Sequence, residues 1–177
     1  MLTATYSLVT ISAEQRNSRS NLSRLQEYIR ACLKKIQDND LLTLRAAFEK
    51  IAQFDQYCHA RKMELYVIPT IRGMTREVDT LIEELESISA RGIAILRSAQ
   101  EKLRNAFEQG VAHLSELCRS MDVYCENLLQ RLAKEEEELL PMVKRSLDTE
   151  GWFQIAEKFL TDEACTPKRR RAVQASA

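Results

Sequence analysis

Residues 8 to 36 carry one stripe, Leu8, Ile11, Gln15, Ser18, Leu22, Leu25, Ile29, Cys32 and Ile36, whose members follow one another at alternating steps of three and four. That spacing returns to the same side of a 3.6-residue helix, so it predicts a single long helix with one buried face. Two members, Gln15 and Ser18, are polar on an otherwise apolar face. The rhythm recurs three times. Phe48, Ile51, Phe54, Cys58, Leu65 and Ile68 mark a second helix over about 41 to 72. Val78, Leu81, Leu85, Ile88, Ile95, Ala99 and Leu103 mark a third that ends near Gly110, with Gly92 read as a close crossing. Met121, Tyr124, Leu128, Leu132, Leu139, Met142 and Leu147 mark a fourth.

Punctuation is sparse: DNDL at 38 to 41 and Gly73 are stop or cap signals, and the chain holds only four glycines and three prolines. No stretch alternates with the period of a strand. The fold class is therefore all-α, an antiparallel up-down four-helix bundle over residues 1–163. A short C-terminal helix, GWFQIAEKFL, offers Trp152, Phe153, Ile155 and Phe159 as a lid over one end. Residues 164–177, which include TPKRRRAVQASA, have nothing to bury and are expected to form a disordered basic tail.

Charge narrows the function classes. Lys and Arg number 26 and Asp and Glu number 26, so no net field draws the chain to nucleic acid or to acidic lipid. Nucleic acid is expected to be touched, if at all, only through the basic run at 168–171. Five cysteines form no CxxC pair and are odd in number, which fits free thiols packed as small hydrophobes in a reducing compartment. The opening MLTATYSLVTISA has no positively charged leader, and no apolar run reaches the ~18 residues of a membrane span. A cytoplasmic protein is expected.

Aligning Pro69 with Pro141 brings HARKMELYVIPTIR (59 to 72) and RLAKEEEELLPMVK (131 to 144) into register: Lys62 meets Lys134, Glu64 meets Glu136, and Ile68-Pro69 meets Leu140-Pro141. The pattern His-x-x-x-Glu-Glu-x-x-Leu-x-Pro, twice in one bundle, resembles the hemerythrin-like (HHE cation-binding) domains, and AEQRNSR resembles their Glu-His-x-x-Ile/Leu-Arg opening. The resemblance spans roughly residues 5 to 160. It implies a non-haem di-iron centre held by about five histidines and two bridging carboxylates, used for dioxygen, nitric oxide or iron handling.

Residue by residue the ligand set departs from that pattern. Gln15 stands at the first histidine slot and Arg131 at the last. His59 is kept, but Met63 occupies the carboxylate slot four residues on, and Glu64 matches only the more variable second acid. Glu135 and Glu136 are kept. The chain has two histidines, His59 and His113, and the second lies outside the motifs. Two imidazoles do not make a hemerythrin-type site.

Glu135 falls on the inward stripe with Leu132 and Leu139, whereas Glu137 points away. Arg131 lies one turn before Glu135, at i,i+4 spacing. A polar layer of Gln15, Ser18, Arg131 and Glu135, with His59 beside it, is expected to replace the metal. No metal or other cofactor is expected. The alternative is a weak iron or other divalent-metal site from the remnants His59, Glu64, Glu135 and Glu136.

The reading is a non-catalytic, bacterial hemerythrin-like bundle that has lost the di-iron site and serves regulation or protein interaction, with a protein partner or a second copy of itself. Two alternatives stay open: an atypical metal-binding sensor of dioxygen, nitric oxide or iron, and an anti-sigma-factor-like transcription regulator, an analogy of fold alone. No catalytic triad, phosphate-binding loop or zinc motif points to an enzyme.

Overall fold

The structure, a computed structural model, describes the backbone of residues 2–34, 41–109 and 114–174 and the side chains of residues 2–32, 41–107 and 114–162. Among these residues there are helices and no strand. Helix α1 (Leu2–Lys34) is followed by α2 (Leu41–His59), a π turn (Met63–Val67) and α3 (Ile68–Ile71), which together make the second column. Helix α4 (Arg76–Gln109) is the third. The fourth column is α5 (Leu114–Lys134), a second π turn (Glu135–Leu139) and α6 (Leu140–Ser146), and α7 (Thr149–Gln174) follows. The columns close a ring: α1 packs on α2 and α5, α4 packs on the same two, and α7 lies along α1. This is the up-down four-helix bundle that the stripes predict.

The repeat in the sequence is a repeat in backbone pitch. Proline cannot donate to an i→i−4 ladder, and its ring crowds the carbonyl one turn back. In both columns the ladder changes pitch just before the proline: the Ile68 N–H donates to the Met63 carbonyl and the Leu140 N–H to the Glu135 carbonyl, five residues away in each case. At Gly73 the backbone turns left-handed at φ 80°, and its N–H donates to Asp79 Oδ1 at 2.8 Å. Glycine is the residue that takes this conformation without strain.

Two expectations need correction. The second helix is not continuous from 41 to 72. It breaks at Ala60–Arg61, where the Ala60 N–H is shared between the Gln56 and Tyr57 carbonyls (3.2 and 3.1 Å) and the Arg61 N–H reaches the Cys58 carbonyl at 3.4 Å. The tightened turn re-aims every side chain after it. The C-terminal helix is long, not short: its backbone runs to Gln174, where the sequence suggests a structureless tail from 164, and the side chains of 168–171 lie outside the described residues. Within it Trp152, Ile155 and Phe159 are buried, but Phe153 is exposed and forms no part of a lid.

The interior is two apolar clusters stacked end to end. One holds Leu22, Ile29, Leu44, Ile51, Cys58, Ala99, Leu117, Met121 and Leu132. The other holds Ile11, Met63, Val67, Ile71, Leu85, Leu139, Val143 and Phe159. Three helix columns pass from one cluster to the other through a buried polar residue: Ile11–Gln15–Leu22 in the first, Cys58–Arg61–Met63 in the second, and Leu132–Glu135–Leu139 in the fourth.

Candidate functional site: a buried ion-pair cluster

Glu135 is fully buried because it holds the helix stripe between Leu132 and Leu139. A buried carboxylate is expensive unless it is paired and its lone pairs are filled. Arg61, itself 2% exposed, comes from the second column and offers both terminal nitrogens, Nη1 to Oε2 and Nη2 to Oε1, each at 2.8 Å. This is the planar two-pronged fit of guanidinium on carboxylate. Arg131 Nε adds a third donor to Oε1 at 2.9 Å from one turn back on the same helix. Gln15 Nε2 donates to Oε2 at 2.5 Å, and its carbonyl accepts from Arg61 Nη1 at 3.2 Å.

The second anion is Glu64, whose Oε1 accepts from Arg131 Nη2 and, at 3.3 Å, from Arg61 Nη2. Arg61 Nε donates to the Cys58 carbonyl at 3.1 Å, beside the longer bond that the Arg61 backbone N–H makes to the same oxygen at the break. Two cations and two anions thus form a closed, neutral group. The only buried side-chain polar atom without a partner among the described residues is the Ser7 hydroxyl, two turns away on α1.

The two carboxylates are treated differently. Burial alone would push Glu135 up, but the Arg61 and Arg131 guanidiniums and the Gln15 amide outweigh it and hold it below the usual carboxylate range. Glu64 is raised: desolvation comes first and repulsion from Glu135 adds to it, against the pull of Arg131 and Arg61. The asymmetry follows from the hydrogen-bond count, because Glu135 takes both prongs of Arg61, and Arg131 and Gln15 besides. Burial disfavours the charge on Arg61, yet Glu135 raises its affinity for the proton, so it stays a cation.

Of the residues singled out in the sequence, Gln15, Arg131 and Glu135 meet in this cluster, and Glu64 joins its partly exposed edge. The others do not. The Ser18 hydroxyl is buried but donates to the Glu14 carbonyl at 2.8 Å and lies 3.4 Å from the Tyr57 hydroxyl. His59 is half exposed, with Nε2 3.7 Å from Asp55 Oδ2, because it ends α2 one residue beyond Cys58 and off that helix's buried stripe. Glu136 faces solvent and lies 3.5 Å from Arg19. Met63 is fully buried in the apolar cluster below. The remnant metal set His59, Glu64, Glu135 and Glu136 is therefore not assembled.

Arg61 is the residue that sequence reasoning missed. Its signal was present: Phe54, Cys58, Arg61, Leu65 and Ile68 keep the four-three rhythm, and the apolar stripe steps over Arg61 between Cys58 and Leu65.

A di-iron centre requires open carboxylate lone pairs and several imidazoles around a shared space. Here guanidinium groups fill the space between the carboxylates, and N–H donors occupy both oxygens of Glu135. Among the described residues no three His, Cys, Asp or Glu side chains come together as a metal-holding group, and His113 lies outside those residues. The described residues do not fit an iron pair.

Beside the cluster, Tyr124 donates its hydroxyl to Asp55 Oδ1 and Asn127 Nδ2 donates to the Ile88 carbonyl at 2.9 Å. The space they enclose with His59 and Arg131 holds only about 10 Å³.

No curated protein and no solved structure matches the chain. Its helical bundle, its paired proline-ended π turns and the buried Glu135 agree with a family match, described as Hemerythrin HHE cation binding domain, that covers residues 11–143. The match takes in 133 of the 177 residues, and the chain belongs to the hemerythrin HHE cation-binding domain family.

Proposed function

We propose that this protein is a hemerythrin-family bundle in which Arg61 and Arg131 have replaced the metal pair, and that it works as a non-catalytic protein-interaction or regulatory module. The observation that carries the reading is the coordination of Glu135: the carboxylate that would bridge metal accepts four hydrogen bonds, from Arg61, Arg131 and Gln15. A metal ion competing for those oxygens would have to expel two guanidinium cations from a buried site.

The ion-pair cluster is packed too tightly to admit a substrate at the carboxylates themselves, which favours a structural role for that site. A void of about 10 Å³ beside the cluster matches one water at most, not a substrate. Four cysteines are free and buried, which suits the reducing cytoplasm, and no described helix is long and apolar enough to cross a membrane.

The test is metal content. Protein purified from cells grown with added iron is expected to hold far less than one iron per chain, to lack oxo-bridge absorption in its optical spectrum, and to unfold at the same urea midpoint with and without EDTA. About two irons per chain, or a midpoint that falls with EDTA and returns with Fe(II), overturns the reading.

A further inference from the structure

Away from the ion cluster, the outer faces of α2 and α4 form an open groove of about 610 Å³ at the end of the bundle where α4 finishes. Its apolar floor is Phe48, Leu103 and Phe107, and Phe107 is 47% exposed, a large aromatic left in water. Along the α4 edge stand Arg97 and Arg104, both exposed, seven residues and hence two turns apart on one face. Among the described residues neither makes an ion pair. On the α2 edge Arg45 is neutralised by Glu49 at 2.9 Å. Glu101 lies between the two free arginines, so the lining keeps a net charge of one positive.

We infer that this groove is a docking site for an acidic amphipathic helix of a partner protein, an inference that rests on the interaction-module reading above. Three features favour a helix. The α4 edge from 97 to 107 runs roughly 15 Å, about three turns of guest helix. The groove is open along that length rather than enclosed as a small-molecule pocket would be. Its lining is rich in Arg and Phe and has no lysine, the composition of an interface centre. Charge complementarity supplies the rest. Arg97 and Arg104 are matched by two carboxylates seven residues apart on the guest, flanking an apolar stripe that covers Phe107 and Phe48. Helix-in-groove recognition uses this spacing of anchors.

A displayed library of 18-residue amphipathic helices, selected on the full-length protein, tests it. Selected peptides are expected to carry two acidic residues seven apart. By fluorescence anisotropy they should bind the wild type at least tenfold more tightly than an Arg97→Glu/Arg104→Glu variant whose thermal melt is unchanged. Replacing the two acids by lysine should restore binding to that variant.

The inference is overturned if no peptide is selected, if the winners lack the acidic pair, or if the charge-reversed protein binds them equally well. It is also overturned if sedimentation shows wild-type dimers that the reversal dissociates, which gives the groove to a second copy. Protection of Phe107 by decanoate with no peptide bound would give it to a small amphiphile. Iron determination on the same preparation separates failure of this inference from failure of the metal-free reading.

Discussion

Replacing Arg61 by alanine removes more of the buried cluster than any other single change. Arg61 donates to Glu135 twice at 2.8 Å, to Gln15 at 3.2 Å, to Glu64 at 3.3 Å and to the Cys58 carbonyl at 3.1 Å. In its absence Glu135 stays fully buried with Arg131 and Gln15 alone, and a side-chain-sized void opens at the junction of the two apolar clusters. Stripping one partner from a buried pair costs ~3–5 kcal/mol, and the five lost donations put this case at the upper end. With a urea slope of about 2 kcal/mol per molar, the unfolding midpoint at pH 7 should fall by roughly 1.5–2.5 M. Arg131→Ala should lower it less, since Arg131 gives Glu135 one donor rather than two. The exposed Glu137→Ala should stay within about 0.5 kcal/mol of wild type. A double replacement, Arg61→Leu with Glu135→Leu, should destabilise less than Arg61→Ala, because it leaves no uncompensated charge. A midpoint for Arg61→Ala equal to that of Glu137→Ala, or a double variant as unstable as the sum of its singles, refutes the reasoning.

Three further outcomes are expected. As pH falls from 7, chemical unfolding should show stability rising first, because Glu64 and Glu14, both raised mainly by burial, take protons more readily folded than unfolded. It should then fall below about pH 4, where the glutamate of the unfolded chain takes up a proton that Glu135, held low in the fold, does not; Glu64→Gln should flatten the first limb, and a steady fall from pH 7 would contradict the assignment. Gly92→Ala should cost about 1–3 kcal/mol in the same assay, since an added Cβ would lie 3.0 Å from Asn127 Nδ2 and 3.4 Å from Tyr124 Cε2, disturbing the amide that caps the Ile88 carbonyl. In a Cys165→Ser protein no thiol should react quickly with DTNB until denaturant is added, because Cys32, Cys58, Cys118 and Cys125 are buried and burial lifts Cys58 and Cys125 to about 12 and Cys118 to about 11; rapid native labelling would show that the bundle opens.

The four columns were legible because each stripe keeps the helix period for four turns or more, and because Gly73 has the positive φ that only glycine adopts easily. The inward turn of Glu135 was legible for the same reason, and so was its i,i+4 pairing with Arg131. The break at Ala60–Arg61 was not. Neither residue is a helix breaker, and the tightened turn comes together with the tertiary pairing of Arg61 with Glu135. His59, which the motif marks as a ligand, lies off the buried stripe of α2 and faces outward, whereas Arg61, which no motif marks, goes to the centre. The register alignment followed the ligand motif rather than the buried stripe, so it chose His59 and passed over Arg61.

On the proposed reading, an exchange of metal for arginine also changes what the fold depends on. A metal centre contributes its binding free energy only when metal is supplied, and its protein ligands are poorly compensated without it. In this chain the compensating charges are covalent parts of the second and fourth columns. The carboxylate that draws the columns together is therefore satisfied whenever they meet, whatever the iron supply. The dependence is moved rather than removed: Glu135 must be ionised to hold two guanidiniums, and each guanidinium must stay on its own column. That is why either half of the fork should be costly to delete alone, while both halves together are replaceable by leucine.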